Sequence, residues 1–382
     1  MNDLLNSNLS IKKITDKKGM NAFIDYPYEL YRDDIHWVPP LRIERQDFFN
    51  PQKNPYFSHA KVEYFLAMRG GRVVGRVTAH EDEIWNTHYK TRQGFFGFYE
   101  SEDDSEVAAA LMQVVEEWCK NRGIANVIGP MDFNTNHEIG FLTEGFDSSP
   151  VLLLKYTKHY YPLLLANLRY SQVRTLLGYT FPAQDPLSEK YNKMADRAKK
   201  FAGDSFKIRN IEKKRLREEL DPILEIYNEA WSENWGFIPM TAGEIDLLAE
   251  QFRLFMDPKF IYILEKEERI VGFFLCLPDI NQAIGEIRNG RLFPVNIFKF
   301  LWNFRKIDRA SIILLGVKKE FRNKGLELIL MQRGLLDASK PPIKYRTIGT
   351  TWILDTNKPM NAIMEFLNAK IVRRYAVVAK DI

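Results

Sequence analysis

The sequence predicts an α/β protein made of two tandem units that share one plan. Three observations carry that expectation. Strand-like and helix-like patterns alternate along the 382 residues. A strand hairpin with a charged tip comes early in each half. Late in the second half, a buried apolar strand breaks into a basic, glycine-containing turn that opens a helix. At roughly 100–200 residues per domain the length allows two or three domains, each able to bury a core.

Composition is that of an ordinary soluble chain: 45% apolar, 27% charged, with 54 basic against 50 acidic side chains and a net charge of +4. So small a surplus gives no strong field and speaks against a nucleic-acid protein or a polybasic membrane binder. The opening MNDLLNSNLSIKK has no basic region leading into an apolar stretch, so no secretory signal is expected. The apolar runs 312–317 and 151–154 fall short of the ~18–20 residues needed to span a bilayer, and read as buried strands. Two cysteines, Cys119 and Cys276, lie far apart in apolar surroundings, so a reduced, cytoplasmic protein without a metal thiolate is expected.

In the first half, residues 9–14 read as a strand and 20–33 as a helix. Residues 62–68 and 72–79 form a hairpin, because Gly70 and Gly71 supply the positive-φ pair of a tight turn. After a strand at 94–99, Ser105 is a suitable N-cap for a helix with Val107, Leu111, Val114, Val115 and Trp118 at helical spacing. Gly123 follows as a C′ glycine, and 124–129 reads as the next strand. Beyond Pro182 and Pro186, the charged pattern SEKYNKMADRAKKFAGD is a connecting helix. The order then restarts with a strand at 206–211, helices at 215–231 and 244–255, and a hairpin of 260–264 with 270–277. A strand at 310–317, a helix at 325–338, a strand at 345–353, a helix at 361–367 and a strand at 371–379 complete it. The expected division is 1–180, a linker at 181–205, and 206–382.

The repeat is visible in residues as well as in order. Arg69-Gly-Gly-Arg-Val-Val-Gly answers Lys266-Glu-Glu-Arg-Ile-Val-Gly. Ile128-Gly129 running to Thr135-Asn136 answers Ile348-Gly349 running to Thr356-Asn357, with Glu144 and Glu365 eight residues past each asparagine. Three matches in one order favour an internal duplication.

The most informative segment is Leu315-Gly-Val317-Lys-Lys-Glu-Phe-Arg322-Asn323-Lys324-Gly325-Leu326-Glu327. Free N–H groups at a helix N-terminus, the positive end of the helix dipole, and flanking Arg322 and Lys324 would suit a phosphate or pyrophosphate. Gly325 stands where a side chain would block the approach. Residues 206–382 resemble the GNAT acyltransferase superfamily, whose acyl-CoA site is built on such a turn. Val317, Arg322 and Gly325 match its pattern in place, and the downstream Asn357 matches an asparagine common after the family's fifth strand.

The resemblance implies two tandem GNAT-like domains, each a mixed central sheet flanked by helices, with acetyl-CoA or another acyl-CoA as donor. Asn323, Lys324, Gly325 and Leu326 would offer N–H groups to the pyrophosphate, with Arg322 beside them. The strand carrying Leu315 and Val317 would pair with the pantetheine arm, with Asn357 alongside it. The reaction implied is direct transfer to an unidentified amine, without a covalent enzyme intermediate. Asp355, Tyr375 and Asn357 are the catalytic candidates; Glu286 and His137 are further groups for the amine proton.

Two positions depart from the family pattern: Glu327 takes a small-residue position, and Met364 replaces a tyrosine that serves many relatives as acid for the departing thiolate. The first half has Glu-Ser-Glu-Asp-Asp-Ser where a basic turn would be, so it reads as a degenerate copy. Its segment 129–147 is rich in turn-forming and polar residues. The histidines His80 and His88 lack metal-site spacing, and no metal is expected. An insertion at 278–309 carries an aromatic helix flanked by Arg288, Arg291, Lys299, Arg305 and Lys306, suited to an acyl pocket, to docking on the other domain or to a membrane surface. Two other functions share the fold: a non-catalytic CoA-binding or interaction protein, and a Fem-like aminoacyl transferase using charged tRNA, against which the modest net charge argues.

Overall fold

The computed structural model describes residues 8–183, 187–253, 255–340 and 345–382. Residues 1–7, expected to hold no signal, and Pro186 of the linker lie outside them. The chain runs β1 (Leu9–Lys13), α1 (Lys17–Leu30), α2 (Arg42–Phe48), β2 (Ala60–Arg69), β3 (Arg72–Asp82), α3 (Glu83–Tyr89), β4 (Gly94–Ser101), α4 (Ser105–Lys120), β5 (Asn126–Gly129), β6 (Phe141–Glu144), α5 (Tyr161–Asn167) and β7 (Ser171–Pro182). After α6 (Glu189–Ala202) come β8 (Phe206–Asn210), α7 (Leu216–Ala230), α8 (Ala242–Arg253), β9 (Ile261–Lys266), β10 (Arg269–Pro278), α9 (Asn281–Ile284) and α10 (Asn296–Phe304). The last elements are β11 (Arg309–Val317), α11 (Leu326–Ala338), β12 (Thr347–Thr350), β13 (Ile353–Leu354), α12 (Lys358–Phe366) and β14 (Lys370–Asp381).

One continuous sheet takes the order β1-β2-β3-β4-β5-β14-β7-β12-β11-β10-β9-β8, with β6 beside β14 and β13 beside β7. Each half contributes an antiparallel hairpin, then a parallel pair: β4 with β5, and β11 with β12. The final strand of each half lies in the other half's territory. β14 pairs with β5, β7 pairs with β12, and β14 and β7 pair with each other at the centre. Helices cover both faces. On one, α4 buries Val107, Leu111, Met112, Val115 and Trp118 against the first hairpin, each fully buried side chain of this size contributing ~1.5–3 kcal/mol.

Three local expectations are corrected. Asp104, not Ser105, caps α4, because its carboxylate accepts from the amides of Glu106 and Val107 at 2.8 and 3.2 Å. Residues 151–154 form a buried turn closed by Leu154 N–H to Val151 C=O, where apolarity comes from packing at the junction and not from a ladder. The strand β7 carries no clean period-2 pattern and escapes a sequence reading, although it is the strand that joins the halves. The third repeat match also lacks a structural counterpart, since Glu144 lies on β6 and Glu365 on α12.

Candidate functional site

The two halves differ most where a parallel pair splays apart. In the first half the opening is filled. Residues 130–133 fold back beside β4, with Met131 N–H donating to Phe96 C=O at 2.8 Å and Phe98 N–H to the Asp132 carboxylate at 2.7 Å. Gly97 is pressed so close that a Cβ there would lie 1.8 Å from Met131 O. Asp132 is held in turn by the buried Lys155 ammonium at 2.7 Å. The N-terminus of α4 is already satisfied by Asp104, which Arg69 also clamps. An anion has no place there.

In the second half the opening remains. β11 pairs with β12 over Arg309–Ile312 only; Thr351 then donates its N–H to Ile312 C=O, and beyond this point β11 pairs only with β10 among the described residues. Register against β10 slips in mid-strand: Leu275 faces Leu314 and Cys276 faces Ile312, so Ile313 is an extra, unpaired residue. Such a bulge rotates backbone polar groups off the ladder.

The strand then leads into the basic turn. Asn323 and Gly325 both take positive φ, +61° and +73°, and α11 begins at Gly325 with no side-chain cap. The amides of Asn323, Lys324, Gly325 and Leu326 consequently have no acceptor among the described residues, and they cluster at the positive end of the α11 dipole. A Cβ at Gly325 would lie 2.8 Å from Ala198 Cβ on α6, so glycine is required twice, for φ and for space.

α6, read from sequence as a connector, is a wall of this site. Tyr191, Ala195, Ala198 and Ala202 form its buried stripe, and the Tyr191 hydroxyl donates to Leu328 C=O at 2.9 Å. Between α6 and the turn lies a pocket of about 350 Å³ lined by Met194, Arg197, Phe201, Asn323, Lys324 and Gly325. The small-residue spacing of α6 is the signal that would have found it, because it marks a helix packed closely on another.

Among the expected site residues, Leu315, Val317, Asn323, Lys324, Gly325 and Leu326 are brought together on the open edge and the turn. Arg322 is adjacent but engaged: its guanidinium donates to Glu229 C=O at 2.9 Å and Val317 C=O at 3.4 Å, tying the turn to the end of α7. Asn357 caps α12 by accepting from Met360 N–H at 3.2 Å, and Asp355 is exposed beside it. Tyr375 is not near the turn. It is buried in the first half's core and donates to Lys155 C=O at 2.9 Å. His137 lies half-buried among Phe48, Tyr56 and Phe133; desolvation drives its pKa down to about 4 and it is neutral at pH 7. Glu286 is exposed and paired with Lys299 at 3.3 Å. Met364 is fully buried. The phenol that reaches α12 is instead Tyr179 of β7, whose hydroxyl donates to Asn361 Oδ1 at 3.0 Å and whose pKa is raised by burial and then by Glu365. Glu327 is half-buried, and desolvation holds its carboxyl above the usual range against the partial relief of its own amide and Arg322. No group of three or more metal-ligating side chains occurs among the described residues.

This architecture is the tandem GNAT fold. Over 98% of both chains the structure is similar to a tandem GNAT protein from the clavulanic acid biosynthesis pathway, with TM-score 0.57 at 12% identity. A probable N-acyltransferase of Enterococcus faecalis is also similar, with TM-score 0.53 at 12% identity, covering 98% of this chain and 72% of that one. No family model matches the chain. Sequence relatives settle the family: the chain belongs with protein YghO of Escherichia coli, 33% identical over 378 residues covering 97% of this chain and 95% of that one. The bacterial ceramide synthase of Caulobacter vibrioides is 31% identical over 384 residues, covering 99% of each chain.

Proposed function

We propose that the chain is an N-acyltransferase that moves an acyl group from a CoA thioester to the amine of a long-chain lipid base, with α6 and residues 206–382 binding the donor and residues 1–180 a degenerate copy that supports the site and lends it Tyr179. The observation that carries this reading is the uncapped N-terminus of α11 at the end of an open, bulged strand edge. Four free amides, Lys324 and Arg197 suit a pyrophosphate. The free edge of β11 suits an amide-bearing pantetheine arm, and the bulge at Ile313 suits a thioester carbonyl whose negative charge grows as the amine attacks. Tyr179, kept protonated, would return a proton to the departing thiolate. The acceptor class is supported by the relative named as a ceramide synthase, since a ceramide is an amide of a long-chain amino alcohol.

Calorimetric titration with acetyl-CoA and longer acyl-CoAs tests the donor site. The wild type is expected to bind in the micromolar range, and Arg197→Glu/Lys324→Glu to bind roughly 10–100-fold more weakly through the loss of two charge-assisted contacts. Absence of binding to every thioester at millimolar concentration would overturn the reading.

A further inference from the structure

The insertion between β10 and β11 presents an apolar surface that the fold leaves uncovered. On α10, Phe300 and Phe304 turn inward against the core around Ile280 and Ile284, their rings 5.8 Å apart. The opposite stripe, at helical spacing, consists of Val295, Phe298, Leu301 and Trp302, with Phe293 just ahead of the helix. Phe298 is 72% exposed and Trp302 62%. The base of the insertion is tied to the first half. Arg42 donates through Nε to Asn289 C=O at 2.7 Å, and Arg288 to Asp34 C=O at 2.5 Å, which sets the exposed Ile43 and Ile35 beside the base of the insertion.

Cations rim this patch. Arg291, Arg305 and Lys306 are exposed and have no ion-pair partner among the described residues; Lys306 lies 5.0 Å from the Trp302 ring. Large aromatics beside unpaired Lys and Arg match the chemistry of a lipid interface, where rings sit at headgroup depth and cations meet lipid phosphates. The same rim opposes a second copy, because a twofold contact through this patch would bring like charges face to face.

We propose that the α10 patch docks the protein on an anionic bilayer surface. It lies beyond the first residue of β11, whereas the pyrophosphate turn lies beyond the last. The donor headgroup and a membrane-held acceptor thus approach the bulge from opposite ends of one strand. This placement extends the lipid-acceptor reading, but the patch itself is independent of it.

The test is co-sedimentation of the full chain with phosphatidylcholine vesicles and with vesicles containing 30% phosphatidylglycerol. The wild type is expected to sediment with the anionic vesicles, and less so as salt rises. Arg291→Glu/Arg305→Glu/Lys306→Glu should weaken this about a hundredfold, at roughly fivefold per cation removed, and Phe298→Ser/Trp302→Ser should weaken it about tenfold or more. Calorimetric CoA binding by the same variants should be unchanged, which separates failure of docking from failure of the donor site and from misfolding. Sedimentation with neither vesicle, or equal sedimentation by wild type and variants, would overturn the proposal. So would a wild-type dimer in analytical ultracentrifugation that Phe298→Ser/Trp302→Ser dissolves, because the patch would then be covered by a second copy.

Discussion

Glu327 stands in the first turn of α11, close to where a pyrophosphate would sit, and its carboxyl is held above the ordinary range by desolvation. Protonation removes its repulsion of an anion, so CoA binding should tighten as pH falls from 7 toward 5. Glu327→Gln should bind several-fold more tightly at pH 7 and lose that pH dependence. Calorimetry at pH 5.5 and 7.5 checks this; a variant that binds more weakly would contradict it. A second residue reports on the junction. His59 lies 3.1 Å from Asp82 and 3.5 Å from Glu244 of α8. Burial opposes its charge, but the hydrogen bond with Asp82 and the ion pair with Glu244 prevail and raise its pKa to about 9 from 6.5. The stability it contributes is complete below pH 6.5 and is lost as pH climbs through about 9. Urea midpoints at pH 6.5 and 9.5 should therefore differ, by the equivalent of about 1–3 kcal/mol, and His59→Gln should flatten the difference.

At the scale of elements, the helix and hairpin order was legible because period and turn chemistry are local. Gly70-Gly71 and the stripe of α4 announce themselves, and so does the basic turn, whose glycine, cations and following apolar helix are contiguous. What escaped depends on distant partners. Nothing in the sequence of α6 says which helix it meets, yet its Ala198 fixes the space at Gly325 and its Arg197 completes the pocket. Tyr375 and Tyr179 illustrate the same limit: which tyrosine neighbours α12 is decided by the order of β14 and β7 in the sheet. The account at this scale predicts that Ala198→Leu, which overfills the contact with Gly325, lowers thermal stability by about 1–3 kcal/mol and weakens CoA binding together with it, whereas Lys200→Leu on the exposed face of α6 does neither.

For the whole molecule, the exchange of β7 and β14 makes one sheet of two halves, and buried links reinforce it. Asp279 accepts from Leu152 N–H at 2.9 Å and from Arg309 at 2.5 Å, and the Tyr227 hydroxyl donates to Asn136. Each half alone would leave a central strand unpaired on an apolar face. Residues 1–183 and 187–382 expressed separately should each aggregate, and co-expressed should recover a single complex; a monomeric, cooperatively melting half would contradict the exchange. The central claim, acyl transfer to a lipid amine, is tested most directly by following free thiol release from a long-chain acyl-CoA with and without sphinganine, together with mass detection of the N-acyl product. The account predicts amine-dependent thiol release and an equivalent amount of amide, both reduced at least tenfold in Arg197→Glu/Lys324→Glu. Thiol release that ignores the amine, or none with any donor that binds, would contradict it.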